Sequence, residues 1–210
     1  MQVHVSPELS GVLALGVLTF EDLGVVERDD RLDAPLAEAE RQARTGPPGD
    51  PTAVRSMYRR VGIDPTKTRP SSEALLRRVS RGGSLPRINS LVDVCNWCSL
   101  SSQLPFGLYD LDHISGGVEL RLGRPGEEYA GIRKDVVHLA GRLALADADG
   151  PFGNPTSDSA RTMVTPRTRR ALVAVFGPKP LTDTVPGVLA IASERVVGFC
   201  GGRESMRAVV

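Results

Sequence analysis

The chain has 210 residues, 40% of them hydrophobic and 24% charged, with a formal net charge of +1. That length suits one well-buried domain with at most a modest extension. Aromatic residues make up only 4%, so the core must come from Val, Leu and Ala, and the content argues against base-stacking platforms for reading single-stranded sequence.

At the start, Val3, Val5, the apolar run 11–20 and Val25-Val26 after Gly24 predict an N-terminal strand pair that feeds a sheet. Glu8 stands where a secretory leader would carry basic residues, and the run 11–20 is too short to span a bilayer, so neither a leader nor a membrane segment is expected. Residues 34–44 carry a helical pattern of mixed charge, broken by TGPPGDP at 45–51, which reads as a surface loop. A helix resumes over 52–61 with Val54, Met57, Tyr58 and Val61 on one side. Asp64-Pro65 and Pro70 then make 62–69 an irregular connection.

The next helix has both ends marked. Pro70-Ser71-Ser72-Glu73 supplies a serine cap and an early acid, and Gly82-Gly83 can take the left-handed turn that stops a helix. Leu75, Leu76 and Val79 give it a buried side; Arg77, Arg78 and Arg81 share an outward sector, where they also meet the unpaired carbonyls of the last turn. From 55 to 87 there are nine Lys or Arg against Asp64 and Glu73, a local charge of +7 that leaves the remainder near −6. Charge segregated in this way favours a polyanionic partner. Arg59, Arg60, Lys67, Arg69, Arg77, Arg78, Arg81 and Arg87 are therefore the candidate RNA-binding residues, suited to gripping phosphates without reading sequence.

Residues 89–102 predict a further helix whose buried stripe is Leu91, Val94, Cys95 and Cys98. Asn89, Asp93 and Asn96 fall on a different side at spacings of four and three. Two amides and a carboxylate in line supply directional donors and acceptors for a small polar group. The competing reading makes Asn89 a cap and Asp93 a local pair. Cys95 and Cys98 form a CxxC, but Cys200, His4, His113 and His138 provide no second ligand pair, so no metal or cofactor is expected and the thiols read as small core residues of a protein from a reducing cytoplasm.

Val118, Leu120 and Leu122 alternate with Glu119 and Arg121 as a half-buried strand does, and Gly123 to Gly126 form a turn. Residues 136–145 suit one or two short strands with His138 packed among them. Asp147 and Asp149 end a strand, after which Gly150-Pro151 and Gly153-Asn154-Pro155 predict a loop whose tip carries Ser157, Asp158, Ser159, Arg161 and Thr162. Such a loop either presents hydroxyls, a carboxylate and a guanidinium to a cleft or is a solvated turn with Asp158 opening a short helix. Residues 171–176 and 188–192 read as closing strands, and 203–210 as a loosely held tail.

The order RINSLVDVCNWCSLSSQLPFGLYDLD at 87–112 resembles the B3/4 domain of the bacterial phenylalanyl-tRNA synthetase beta subunit. MYRRVGIDPTKTRPSSEALLRRV at 57–79 is similar to small free-standing proteins that carry that domain, and VTPRTRRALVAVF at 164–176 resembles its later strand. The resemblance implies a mixed α/β fold, a sheet core flanked by helices: one B3/4-like domain over 57–200, residues 1–56 packed onto it, and a tail at 201–210. Within the synthetase the domain hydrolyses the ester of wrongly attached tyrosine; here the family's histidine falls on Gly107 and its editing glutamate on Ala174. No Gly-rich phosphate loop, Gly-x-Ser-x-Gly elbow or His-Glu-x-x-His offers other machinery.

Two functions are accordingly expected: a free-standing tRNA-binding protein that hydrolyses mischarged aminoacyl-tRNA, or a non-catalytic module for RNA, an amino acid or a metabolite. Asp93 and Asp158 are the candidates to order water; Asn89, Asn96, Asp110, Ser157 and Arg161 are the candidates to bind substrate. The expected partners are tRNA or aminoacyl-tRNA and a free amino acid, with neither DNA nor membrane.

Overall fold

The structure is a computed structural model and describes residues 1–46, 49, 51–132 and 136–210. Strand β2 (Leu13–Glu21) is buried at eight of its nine positions, and β9 (Ala171–Pro178) at all eight. Runs this apolar need cover on both faces, and they pair antiparallel at the centre of a four-stranded sheet. Strand β3 (Phe106–Asp110) adds to β9 on one side and β10 (Arg203–Val209) to β2 on the other, giving the order β10-β2-β9-β3. Helix α5 (Val185–Cys200) approaches this sheet closely, because a Cβ at Gly177 would lie 2.4 Å from the Val185 side chain.

A second sheet has the order β1-β4-β7-β8, with β1 (Val3–Val5) parallel to β4 (Val118–Leu122) and β7 (Leu143–Asp147) turning directly into β8 (Gly150–Gly153). A short hairpin joins β5 (Glu128–Tyr129) to β6 (Val137–His138). Helices α1 (Asp33–Thr45), α2 (Thr52–Arg60), α3 (Ser71–Ser80) and α4 (Ser90–Ser102) come between β2 and β3. Of these, α4 packs against α1, α3 and α5. No helix among the described residues is long and apolar enough to cross a membrane.

Several elements differ from their sequence reading. The N-terminal strands do not pair with each other: β1 and β2 enter different sheets, and Val26 is irregular backbone that exchanges hydrogen bonds with Ser90. Residues 188–192 are helical. A five-residue apolar run fits either period, but Leu189, Ala192, Val196 and Cys200 continue at helical spacing on the buried side, and a proline in the first turn suits a helix start. The expected tail is edge strand β10, in which alternate residues are exposed. Gly150 to Gly153, read as loop, is strand β8, and His138, read as packed, is exposed with Nδ1 3.0 Å from Glu128. Helix α3 lacks a serine cap, since Pro70 takes that position. In the loop predicted at 45–51, Pro47, Pro48 and Asp50 lie outside the described residues.

The start of α4 is pinned twice. The Asn89 carboxamide oxygen accepts the Val92 N–H at 3.0 Å, and the fully buried Asp93 carboxylate accepts the Ile88 N–H at 2.8 Å and Arg87 Nε at 2.7 Å. The same guanidinium reaches the Asp33 carboxylate at the start of α1 and the Asp29 carbonyl at 2.8 Å. Arg87→Ala would leave a buried carboxylate without its countercharge, and is expected to cost about 3–5 kcal/mol in urea denaturation. A loss below 1 kcal/mol would show that solvent reaches Asp93.

Candidate functional site

A cavity of about 450 Å³ opens between α3, α4, the outer edge of β3 and the segment 156–164. One face of α4 supplies Val92, Cys95, Asn96 and Ser99, while alternate residues of β3 supply Phe106 and Leu108. Ser71 at the start of α3 closes another side, and its hydroxyl is buried without a hydrogen-bond partner. The walls are thus largely apolar, with few polar groups among them, the usual composition of a small-ligand site.

Asp158 is the charged member. Strand β3 spends one edge on β9, and its other edge meets the segment after β8: the Asp110 N–H donates to the Thr162 carbonyl at 2.9 Å, while the Leu108 N–H faces the Asp158 carboxylate. The residue is only partly covered overall, but its carboxyl lies deep, and Oδ1 is sealed from solvent without a partner. Burial pushes its pKa up to about 7, against the opposing pull of the Tyr109 hydroxyl and the N–H groups of Leu108 and Asn154. The Tyr109 hydroxyl is turned toward this carboxyl yet stands outside hydrogen-bonding geometry.

The segment that carries Asp158 is built, not solvated. The buried Asn154 accepts the N–H groups of Thr156 and Ser157, both at 2.8 Å, and donates to the Tyr129 hydroxyl at 2.9 Å; Tyr129 in turn donates to the Ser157 carbonyl. Thr156 Oγ1 lies 2.9 Å from the Tyr58 hydroxyl. These contacts turn Asp158 inward, neither exposed at a loop tip nor starting a helix.

Of the residues singled out from the sequence, Asn96, Ser157 and Asp158 come together on this cavity. Asn89 and Asp93 are occupied by the α4 cap and by Arg87, so the in-line stripe does not act as one surface. Asp110 accepts the Thr168 hydroxyl at 2.6 Å and the Asp112 N–H at 3.0 Å. Arg161 spans both oxygens of Asp147 at 2.9 and 3.0 Å; burial pushes that carboxyl up, but Arg161 and the Ser115 N–H outweigh it and hold it low.

Within the basic segment, Arg55 and Arg69 gather on Glu73 at 2.9 and 3.4 Å, and Arg78 donates to the Ser84 carbonyl. Arg59, Arg60, Lys67, Arg77 and Arg81 are exposed, with no ion pair among the described residues.

Tyr109 is the participant that sequence reasoning missed. Gly107 and Ala174, onto which the family's histidine and glutamate fall, are cross-strand partners in the β3–β9 register. A Cβ at Gly107 would meet the Tyr109 hydroxyl at 2.1 Å, and one at Gly153 would meet it at 2.3 Å. The fully buried ring is therefore held between two glycines, edge-on to Phe152 at 4.9 Å. Tyr109 belongs to the aromatic-Asp exit of the 87–112 stretch that carries the resemblance, but only the two glycines hinted at its slot. Gly107→Ala is expected to cost about 1–3 kcal/mol by overpacking, read as a lowered melting temperature.

The B3/4 domain pattern matches residues 53–184, and the chain belongs to the B3/4 domain family. Over 91 residues, 43% of its length, it is 38% identical to the phenylalanine–tRNA ligase beta subunit of Thiobacillus denitrificans, of which that stretch is 11%. Over 166 residues, 67% of its length, it is 26% identical to the same subunit of Bartonella henselae, of which it covers 20%. The chain thus spans a tenth to a fifth of the curated relatives it matches. In fold it is similar to an N-terminal fragment of the phenylalanyl-tRNA synthetase beta subunit from Pyrococcus horikoshii, with a TM-score of 0.54 over 100% of this chain and 54% of that one, at 14% identity.

The raised Asp158 pKa carries a stability consequence. The unfolded value is 3.8 and the folded value about 7, so between them the folded state holds the extra proton; the group's contribution is full below pH 3.8 and is lost as pH rises through about 7. Asp158→Asn removes that dependence. Relative to the variant, the wild type is expected to lose on the order of 4 kcal/mol of unfolding free energy between pH 4 and pH 8, measured by denaturant titration. Parallel curves for the two proteins would contradict a neutral, buried acid.

Proposed function

We propose that this chain binds the aminoacyl end of tRNA in the α4–β3 cavity and hydrolyses the ester of mischarged aminoacyl-tRNA in trans. The observation that carries this reading is the Asp158 carboxyl, deep in an apolar-walled cavity with one oxygen unpartnered and a pKa of about 7. At neutral pH about half of it is ionised, which suits a general base. The carboxylate takes a proton from a water, the hydroxide oxygen bonds to the aminoacyl carbonyl carbon, the ester C–O bond breaks, and the ribose oxygen leaves with that proton. Val92, Phe106 and Leu108 face the amino-acid side chain, and the Asn96 carboxamide is available to a polar group on the substrate. The exposed Arg59, Arg60, Lys67, Arg77 and Arg81 hold backbone phosphates.

The reading is supported by membership of the B3/4 family and by relatives that are phenylalanine–tRNA ligase beta subunits. A second reading, a binding module without hydrolysis, is favoured by Gly107 and Ala174, which carry no proton-transferring group, and by Tyr109, which takes the space a side chain at 107 would need. Deacylation assays over a panel of mischarged tRNAs separate the two. Hydrolysis is expected for at least one of them, with a rate that rises with pH through about 7 and falls about 10²- to 10⁴-fold in Asp158→Asn. No release above the spontaneous rate with any substrate would leave the binding module. Affinity for tRNA held by phosphate contacts should fall steeply as salt rises, whereas weak affinity insensitive to salt would favour a module for an amino acid or metabolite.

A further inference from the structure

Beside the acyl cavity lies another of about 450 Å³, and Thr156 and Ser157 line both. Its chemistry is the opposite. Lys67, Arg69 and Arg142 face it, and among the described residues no carboxylate lines it, although Asp64 acts on Lys67 from outside. Glu73 lies behind Arg69 at 3.4 Å but is shared with Arg55 at 2.9 Å, so cations outnumber it, and Arg69 Nε is buried without a hydrogen-bond partner. Lys67 and Arg142 form no ion pair among the described residues. The first turn of α3 touches both cavities, through Ser71 on one and Ala74 on the other, and its positive end adds to the field.

Three cations held around one hollow repel each other until an anion enters, and a guanidinium fork beside an ammonium matches the tetrahedral oxygens of a phosphate. The shared wall is the turn at Thr156 and Ser157, whose N–H groups both donate to Asn154, so a single pass of the chain separates the two cavities. A nucleotide carries its 3′ ester and its 5′ phosphate on opposite ends of one ribose, and so can place one on each side of such a wall. We propose that the second cavity is a phosphate site, which takes the phosphodiester of the nucleotide whose ribose bears the acyl group; the proposal rests on the reading of the first cavity as the acyl pocket.

The test compares a hydrolysis-resistant 3′-aminoacylamino-3′-deoxyadenosine with its 5′-monophosphate by titration calorimetry on the full chain. The phosphate is expected to tighten binding about tenfold, about 1.4 kcal/mol, and the ratio of the two affinities to fall to about one in Lys67→Ala/Arg142→Ala. Equal affinities in the wild type, or a gain that survives in the variant, would overturn the phosphate site and leave the acyl pocket standing. If neither compound binds, adenosine 5′-monophosphate decides: binding that depends on Lys67 and Arg142 leaves a phosphate site but overturns its assignment to the acyl-bearing nucleotide, and no binding removes both.

Discussion

The position of α4 depends on one buried charge pair. Arg87 and Asp93 meet at 2.7 Å where solvent is excluded from the carboxylate, and the same guanidinium ties in the start of α1. A pair of this kind does little for net stability compared with a well-packed apolar substitute, but once one partner is present the other is obligatory. Its effect is to fix where α4 begins, which face carries Asn96, and how far that face stands from β3. The candidate stripe of the sequence is thereby divided into two tasks: Asn89 and Asp93 hold the helix still so that Asn96 can be presented.

The cavity sets a second requirement against the first. A carboxyl is kept where it is poorly solvated, so the fold bears a cost near neutral pH that a neutral side chain would spare it. Perturbed acids of this kind gather at functional sites more than elsewhere, although structural networks also produce them. Asp93, Asp110 and Asp147 each have guanidinium or hydroxyl partners at hydrogen-bond distance, whereas Asp158 takes backbone N–H groups of Leu108 and Asn154 and keeps one oxygen without a partner.

Much of this architecture was legible in the residues, and what was not has physical causes. The α4 stripe of Leu91, Val94, Cys95 and Cys98 and the alternation of Val118 to Leu122 have periods long enough to read, and both elements appear, although Arg121 is buried on Glu127 and Leu122 is only half-buried. Residues 188–192 failed because five apolar residues fit both periods, and β10 failed because a polar edge strand, with solvent on its outer face, carries no hydrophobic run. The site was half legible. Asn96, Ser157 and Asp158 could be suspected by type and spacing, but the inward turn of Asp158 depends on Asn154 and Tyr129, which lie 25 residues apart. Arg142 gave no local sign at all, since only the packing of β7 beside the 154–157 segment brings it to Lys67 and Arg69.

The tyrosine clasped between Gly107 and Gly153 has a consequence for any attempt to rebuild the site. Because the ring fills the room a side chain at 107 would need in this chain, an imidazole placed there obliges Tyr109 to leave its slot. Such a change is a joint repacking of two neighbouring strands, and not the exchange of one side chain.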